Sequence, residues 1–358
     1  MLIETDVIHG RGDPYEFGVK QGQHVSSLLK DKHLKRRKKS IRQYTVDSKE
    51  AKNWITAFSP SLWAELNGMA DGLKWSLENV LHEYAGYQQS WVTSGCSSFM
   101  ANGVYGRNYD YHPKTYDGRF VLWQPSSGQG AAHIGFAQRM AGRMDGMNEH
   151  GLAVGYHFVN RLRPGDGFIC TTIARLILDS CRSVDEATAL LHELPHRFAF
   201  NYSLTDRTGK SAVVEASAKG TDERSGKQRL TCTNHFQSEN KLIENRNYLT
   251  ESIDRLDLLN ATVTAQSDRN TMFEQLNQLQ NGIAKTNYRS WAGTIHTAVY
   301  DTKNLQATVG IGPDAAPITI DFKAWLEGEQ LFLRKIRGRI PDTLPETEHI
   351  QAETHTLH

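Results

Sequence analysis

Cys96 follows a glycine and opens the run Gly95-Cys96-Ser97-Ser98-Phe99-Met100-Ala101-Asn102-Gly103-Val104-Tyr105-Gly106-Arg107-Asn108-Tyr109-Asp110-Tyr111. Asn-Gly between two strand-like runs is the strongest short signal for a two-residue hairpin, because a type I′ turn needs positive φ at both central positions. A turn centred there sets Cys96 opposite Tyr109, Ser97 opposite Asn108 and Ser98 opposite Arg107. Side chains alternate along a strand, so Cys96, Arg107 and Tyr109 share a face. Arg107 becomes the diagonal neighbour of Cys96, roughly 7–8 Å away between backbones and within reach of a long side chain. The thiolate is the nucleophilic form of cysteine, and a cation beside a thiol of ordinary pKa, about 8.5, favours it. The spacing therefore predicts an activated thiol. A regular strand points Asp110 to the opposite face. It either meets the cysteine at a bulge or strand end, or holds an amino group at the start of the first strand.

Other motifs carry less chemistry. His192-Glu193-Leu194-Pro195-His196 formally matches the zinc pattern His-Glu-x-x-His. That site needs both histidines on one continuous helix, and Pro195 predicts a helix end at Leu194 instead. Gly310-Ile311-Gly312-Pro313-Asp314-Ala315 imitates a dinucleotide loop, but Pro313 and the strand-like Ile318-Thr319-Ile320 argue against the helix it must open. Cys96, Cys170, Cys181 and Cys232 contain no Cys-x-x-Cys pair, which argues against a zinc ribbon or a dense disulfide framework. The last three read as reduced packing residues. No metal and no cofactor are expected. Asp145 and Asn148 read as turn residues of 145–151.

Among 358 residues, 41 basic and 40 acidic side chains nearly cancel, so no electrostatic footprint for nucleic acid or an anionic membrane is expected. The basic run 30–39 reads as the solvated face of a helix rather than an anion site. No apolar run approaches the length of a membrane span, and MLIETDVIHGRGD lacks the features of a secretory signal, so a cytoplasmic protein is expected.

The elements that must position the cysteine follow from pattern. Residues 1–95 read as helical, with Asp13 as N-cap, Pro14 at the first helical position and Glu16 completing a capping box. Helices are expected over 60–73 and from Ser76. From Gly95 the pattern alternates, predicting strands at 97–101, 104–111, 119–124, 132–138 and 152–159. Helices follow at 168–181 and 184–194, then strands at 201–205, 212–216 and 230–233. Helices at 241–259 and 270–283 precede strands at 293–300 and 306–310, and a loose polar tail runs from Pro341. Strands, helices, then strands with hairpin turns imply a largely antiparallel, layered α+β protein.

Taken in order, Gly95-Cys96-Ser97-Ser98, Gly106-Arg107-Asn108-Tyr109-Asp110, Asp145-Gly146-Met147-Asn148-Glu149-His150-Gly151-Leu152 and Thr233-Asn234-His235-Phe236 resemble the N-terminal-nucleophile hydrolases of the choloylglycine hydrolase and penicillin acyltransferase type. The resemblance is strongest to the self-processing acyl-CoA:6-aminopenicillanic acid acyltransferase branch. Upstream, Gly12-Asp13-Pro14-Tyr15-Glu16-Phe17-Gly18 and Glu65-Leu66-Asn67-Gly68-Met69-Ala70-Asp71-Gly72 resemble that family's propeptide signatures. The resemblance implies an αββα sandwich of two antiparallel sheets covered by helices. It implies scission of Gly95–Cys96, with residues 1–95 kept as a small subunit, 96–340 as the catalytic core and 341–358 as a flexible tail.

By the same resemblance Cys96 is the nucleophile and its freed α-amine the base. Arg107 and Asp110 orient the cysteine, and Asn234 is the side-chain donor of an oxyanion hole. A backbone N–H near Tyr156 or His157 is its partner, and Arg255 matches a further family arginine. His157 stands where the bile-salt branch tends to have asparagine. The implied activity is hydrolysis of non-peptide amides of small N-acyl substrates through a thioester. The alternatives are acyl transfer to a small amine, with acyl-CoA as a co-substrate, and an uncut chain serving as a binding or scaffold protein. Homo-oligomerisation is left open.

Overall fold

The hairpin forms as expected. In a computed structural model describing residues 1–91, 95–226, 229–264 and 266–352, Asn102 has φ 51° and Gly103 φ 80°. The strands they join, Gly95–Ala101 and Val104–Tyr111, pair with Cys96 opposite Tyr109 and Ser98 opposite Arg107. This hairpin sits inside a seven-stranded sheet in the order Arg229–Cys232, Gly95–Ala101, Val104–Tyr111, Ala292–Asp301, Gln306–Ile311, Ile318–Asp321, with Thr286–Asn287 beside Ala292–Asp301. A ten-stranded sheet packs against it. Its order is Gly220–Gly226, Ser211–Ser217, Ala199–Asp206, Leu152–Asn160, Asp145–Asn148, His133–Gln138, Arg119–Pro125, Leu2–Gly12, Lys335–Arg339, with Gly142–Arg143 off the path.

Both sheets are covered by helices on their outer faces. Cys170–Ser180 and Val184–Glu193 lie on the larger sheet, Thr250–Thr262 and Arg269–Asn277 on the smaller. The strands near Cys96 are thus buried on both faces. Cys96 and Met100 pack into the core between the sheets, whereas Phe99 and Ala101 pack with Leu259, Met272 and Leu276 of the outer helices. The architecture is the expected α+β sandwich. The described strand pairs are antiparallel except one, Leu2–Gly12 with Arg119–Pro125.

That strand corrects the reading of residues 1–95 as helical. Ile3, Thr5 and Val7 are buried in alternation, a period-two pattern that a first pass for helices overlooks. The strand lies between the parallel Arg119–Pro125 and the antiparallel Lys335–Arg339, inside the sheet. Helices follow at Pro14–Gln23, Ser27–Ser40, Ser48–Phe58, Pro60–Leu73 and Leu77–Tyr84. Asp13 caps the first through the amide of Glu16. The first and fourth cross at backbone distance: a Cβ on Gly18 would lie 2.0 Å from the Glu65 carbonyl oxygen, and one on Gly68 1.9 Å from that of Tyr15. Only glycine fits such a crossing, which gives the upstream glycines a structural meaning.

A buried ionic cluster ties this segment to the rest of the chain. Glu65 accepts from Arg175 at 2.6 Å and from Gln21 at 2.5 Å, and Arg175 also holds Asp179 at 2.8 Å. Ser59 donates to Asp179 at 2.7 Å, and Arg119 to Gln21 at 3.1 Å.

Other expectations need smaller corrections. The helix expected over 241–259 is a 3-10 turn, Glu239–Glu244, then Thr250–Thr262, because Asn245 exchanges hydrogen bonds with the backbone of Phe236 and interrupts it. Residues 145–148 form a strand, and the expected turn is confined to 148–151, where Asn148 Oδ1 accepts from the amides of His150 and Leu152. The tail is packed as far as described: Ile350 is buried, Ala352 donates to Leu2, and His349 meets both Lys32 and the Tyr116 carbonyl. Residues 353–358 of the expected tail lie outside the described residues. The helix before Pro195 ends at Glu193, and His196 Nε2 turns to the Leu191 carbonyl. Among the described residues, no helix is long and apolar enough to cross a membrane.

Candidate active site

Strand alternation gives Cys96 two environments. Its side chain points between the sheets, where Arg107 Nη2 donates to Sγ at 3.0 Å. The same guanidinium donates to the Tyr156 carbonyl at 2.8 Å and to the Met144 carbonyl, and its Nη1 lies 3.5 Å from Asp145. The rings of Tyr109 and Tyr156 flank it at 5.2 and 5.3 Å, adding cation–π attraction.

The backbone of Cys96 faces the other way, toward helix Thr250–Thr262. Its N–H donates to Asn234 Oδ1 at 2.8 Å, and Arg255 Nη1 donates to its carbonyl at 2.9 Å and to Ser97 Oγ at 3.1 Å. Arg255 Nη2 reaches Asn234 Oδ1 at 2.9 Å, and Ser252 Oγ accepts from the Asn234 amide at 2.8 Å.

Asp110 belongs to this second side. It pairs in register with Gly95, lies 3.5 Å from Arg255 and accepts from Thr294 at 2.7 Å. A bulge between Thr294 and His296 makes this possible. Residues two apart normally share a face. The extra residue lets Thr294 serve Asp110 while His296 turns inward beside Tyr109, 5.2 Å between ring centres. Arg107 and Asp110 thus flank the cysteine from opposite faces, one at the thiol and one beside the Gly95–Cys96 peptide bond.

Burial pushes the Cys96 thiol up from its ordinary pKa; Arg107 and Arg255 oppose this, and Asp110 reinforces it. The expectation of a depressed thiol is not met in the uncut chain. A thiolate with no exposure loses more hydration than one guanidinium returns, and that guanidinium also has Asp145 to balance. Burial likewise raises the Asp110 carboxyl against the pull of Arg255 and Thr294.

Asn234 stands beside Cys96, with its donor Nδ2 on the Phe158 carbonyl at 2.8 Å and its acceptor toward the Cys96 amide. Tyr156 contributes its carbonyl to Arg107. The His157 ring has its Nε2 3.0 Å from both Ser98 Oγ and Ser203 Oγ, and burial holds its pKa well below the ordinary value. Arg255 bridges Asn234 Oδ1 and the Cys96 carbonyl. Sequence reasoning missed Thr294, Ser252, His296 and Tyr300, for which only strand register carries a signal. Clefts of about 760 Å³, between residues 58–64 and 124–131, and about 710 Å³, beside Asn102 and Thr208, lie away from Cys96.

A family model described as acyl-coenzyme A:6-aminopenicillanic acid acyl-transferase matches residues 98–315, well over half of the sequence. The chain belongs to that family. The expected membership of the N-terminal-nucleophile hydrolases holds. Among curated proteins, none matches the sequence. Solved structures similar to the chain include penicillin V acylase from Agrobacterium tumefaciens, at 18% identity and TM-score 0.45, covering 64% of this chain and 86% of that one. A conjugated bile acid hydrolase mutant from Clostridium perfringens gives 13% and 0.42, covering 65% and 93%. The Caenorhabditis elegans N-acylethanolamine-hydrolyzing acid amidase ortholog gives 13% and 0.40, covering 58% and 93%. Scores this low carry no weight for the activity of this family member.

Proposed function

We propose that this chain is a self-activating cysteine amidase. Cys96 cuts the Gly95–Cys96 bond, and the freed N-terminal cysteine then hydrolyses the amide of a small N-acyl substrate. The observation that carries this reading is the double hold on Cys96, with its sulfur on Arg107 at 3.0 Å and its amide on Asn234 at 2.8 Å. Family membership supports it.

In the first stage Sγ attacks the Gly95 carbonyl carbon. The thiol proton passes to the Cys96 nitrogen, the C–N bond breaks, and Gly95 is left as a thioester on Sγ. Water then releases the Gly95 carboxylate and restores the thiol. A Cβ at position 95 would stand 3.3 Å from Asp110 Cβ, so glycine leaves that approach open. The new α-amine, of ordinary pKa about 7.7–8.0, emerges beside Asp110 and accepts the thiol proton in turnover. The thiolate forms an acyl thioester, the substrate amine leaves carrying that proton, and water releases the acid. Arg107 and Arg255 supply fixed positive charge as these anions develop. Asn234 serves as an oxyanion donor once its Nδ2 turns from Phe158, with a backbone N–H near Tyr156 or His157 as partner. Residues 1–95 remain as a small subunit, since their strand and Glu65 are built into the core. No cofactor takes part.

A second reading, acyl transfer from acyl-CoA to a small amine, is favoured by the description of the matched family. Incubation with an acyl-CoA, with and without an amine acceptor, separates transfer from hydrolysis. The reading as a whole is tested by intact mass under denaturing conditions beside Cys96→Ala. Fragments 1–95 and 96–358 in the wild type alone are expected; one uncut chain in a folded sample would favour a binding or scaffold role instead.

A further inference from the structure

The inner side of the site continues past Arg107 into a buried chain of polar groups. Asp145 lies 3.5 Å from Arg107 Nη1 and accepts from His296 Nε2 at 2.9 Å and from the Tyr300 hydroxyl at 2.6 Å. His296 is held flat between Phe136 and Tyr109, with ring centres 3.8 and 5.2 Å away, and its Nδ1 lies 3.2 Å from the Tyr116 hydroxyl. All of these groups are buried, and Asp145, His296, Tyr300, Phe136 and Tyr116 come from outside the hairpin around the cysteine.

We propose that Asp145 is a positioning residue of the reaction: it fixes Arg107 through Nη1 so that Nη2 stays on the Cys96 sulfur, and His296 and Tyr300 fix Asp145. This rests on the proposed role of Cys96 and adds the part that keeps its arginine aimed. A buried guanidinium needs a standing counter-ion, and a buried carboxylate needs its lone pairs filled. Asp145 meets both needs. Burial raises its carboxyl, but His296, Arg107 and Tyr300 outweigh that and leave it below the usual carboxylate range. His296 is itself pushed down by burial, against the pull of Asp145, and its Nε2 fills one lone pair of the carboxylate. Arg107 brings its positive charge to within 3.5 Å of the same carboxylate. Nη1 is shared by Asp145 and the carbonyl of its neighbour Met144, and Nη2 by the Tyr156 carbonyl of the adjacent strand and the sulfur.

Asp145→Asn keeps the shape and removes the charge. The sulfur then becomes the nearest anion available to Arg107, so the Cys96 titration is expected to move to lower pH. The readout is the ultraviolet absorbance of the thiolate, taken as a difference against Cys96→Ser in the same background. At a pH where both thiols are ionised, self-cleavage of chain made by cell-free synthesis is expected to be at least about tenfold slower, since small misplacements at a reacting centre are costly. A mere packing role would move neither the titration nor the rate at matched ionisation. An unchanged titration overturns the proposal, and so does an equal rate at equal ionisation. Should Asp145→Asn fail to fold, Tyr300→Phe removes one hold on Asp145; several-fold slower cleavage is expected, and a wild-type rate overturns the proposal. The titration needs neither cleavage nor substrate. A wild-type chain that never cuts itself would therefore remove the amidase reading and still leave the grip of Asp145 on Arg107 to be decided.

Discussion

At the residue scale the site is two half-sites joined by one amino acid. The thiol belongs to Arg107 and the space between the sheets, whereas the peptide bond belongs to Asp110, Asn234 and Arg255 beneath a helix. Arg107→Gln removes the charge that opposes burial at Cys96. The thiol is an acid, so losing a nearby cation favours its neutral form and moves its titration to higher pH. Self-cleavage at neutral pH is expected to fall by about two orders of magnitude, measured by the time course of the 1–95 fragment. Arg107 was legible because one Asn-Gly turn fixes its register against Cys96. Asp110 was half legible, as strand periodicity gave its face but not the partner Thr294, which only a bulge supplies. The linkage of Asp145, His296 and Tyr300 was not legible. Asp145 meets Arg107 through the stacking of two sheets, and His296 and Tyr300 reach Asp145 from the strand beside Arg107, a contact no local pattern encodes.

At the scale of elements, the expected cap at Asp13 and the turn at Asn102-Gly103 both form. Asp13, Ser59, Ser76 and Ser183 each cap a helix with a side-chain oxygen. The long reading over 241–259 failed because a single side chain, Asn245, offers the backbone a competing partner. The crossing of Pro14–Gln23 over Pro60–Leu73 shows what sequence alone conceals, since the glycines are visible but the contact that demands them is not. Gly68→Ala would drive a methyl into the Tyr15 carbonyl, and backbone cannot swing aside as a side chain does. The expected result is loss of several degrees or more in thermal midpoint by calorimetry. Glu65→Ala would strand Arg175 inside the protein. Removing one partner of a buried pair costs about 3–5 kcal/mol, and denaturant unfolding of the variant measures it. A wild-type midpoint for Glu65→Ala would mean that Asp179 alone satisfies the arginine.

At the scale of the molecule, the histidines set a window of acid sensitivity. Burial lowers His133, His196 and His349 from 6.5 to about 4. As pH falls between those values the unfolded chain takes up protons that the folded chain refuses, so stability is lost across that window, on the order of 3 kcal/mol for each. Thermal midpoints from pH 7 down to 4 are expected to decline from about pH 6.5, before carboxylates of ordinary pKa begin to titrate. A flat profile down to about pH 5 would contradict these burial assignments.

The position of Leu2–Gly12 also sets a clock. One of its neighbours in the sheet, Lys335–Arg339, lies far downstream in the chain and leaves the ribosome long after it. The N-terminal strand must therefore wait, with one edge open, until synthesis has passed residue 339. If the scissile bond reacts only in the finished sandwich, proteolytic maturation doubles as a report that translation has run that far. Chains halted before residue 335 are expected to accumulate uncut, which pulse-labelling of stalled and released nascent chains would reveal.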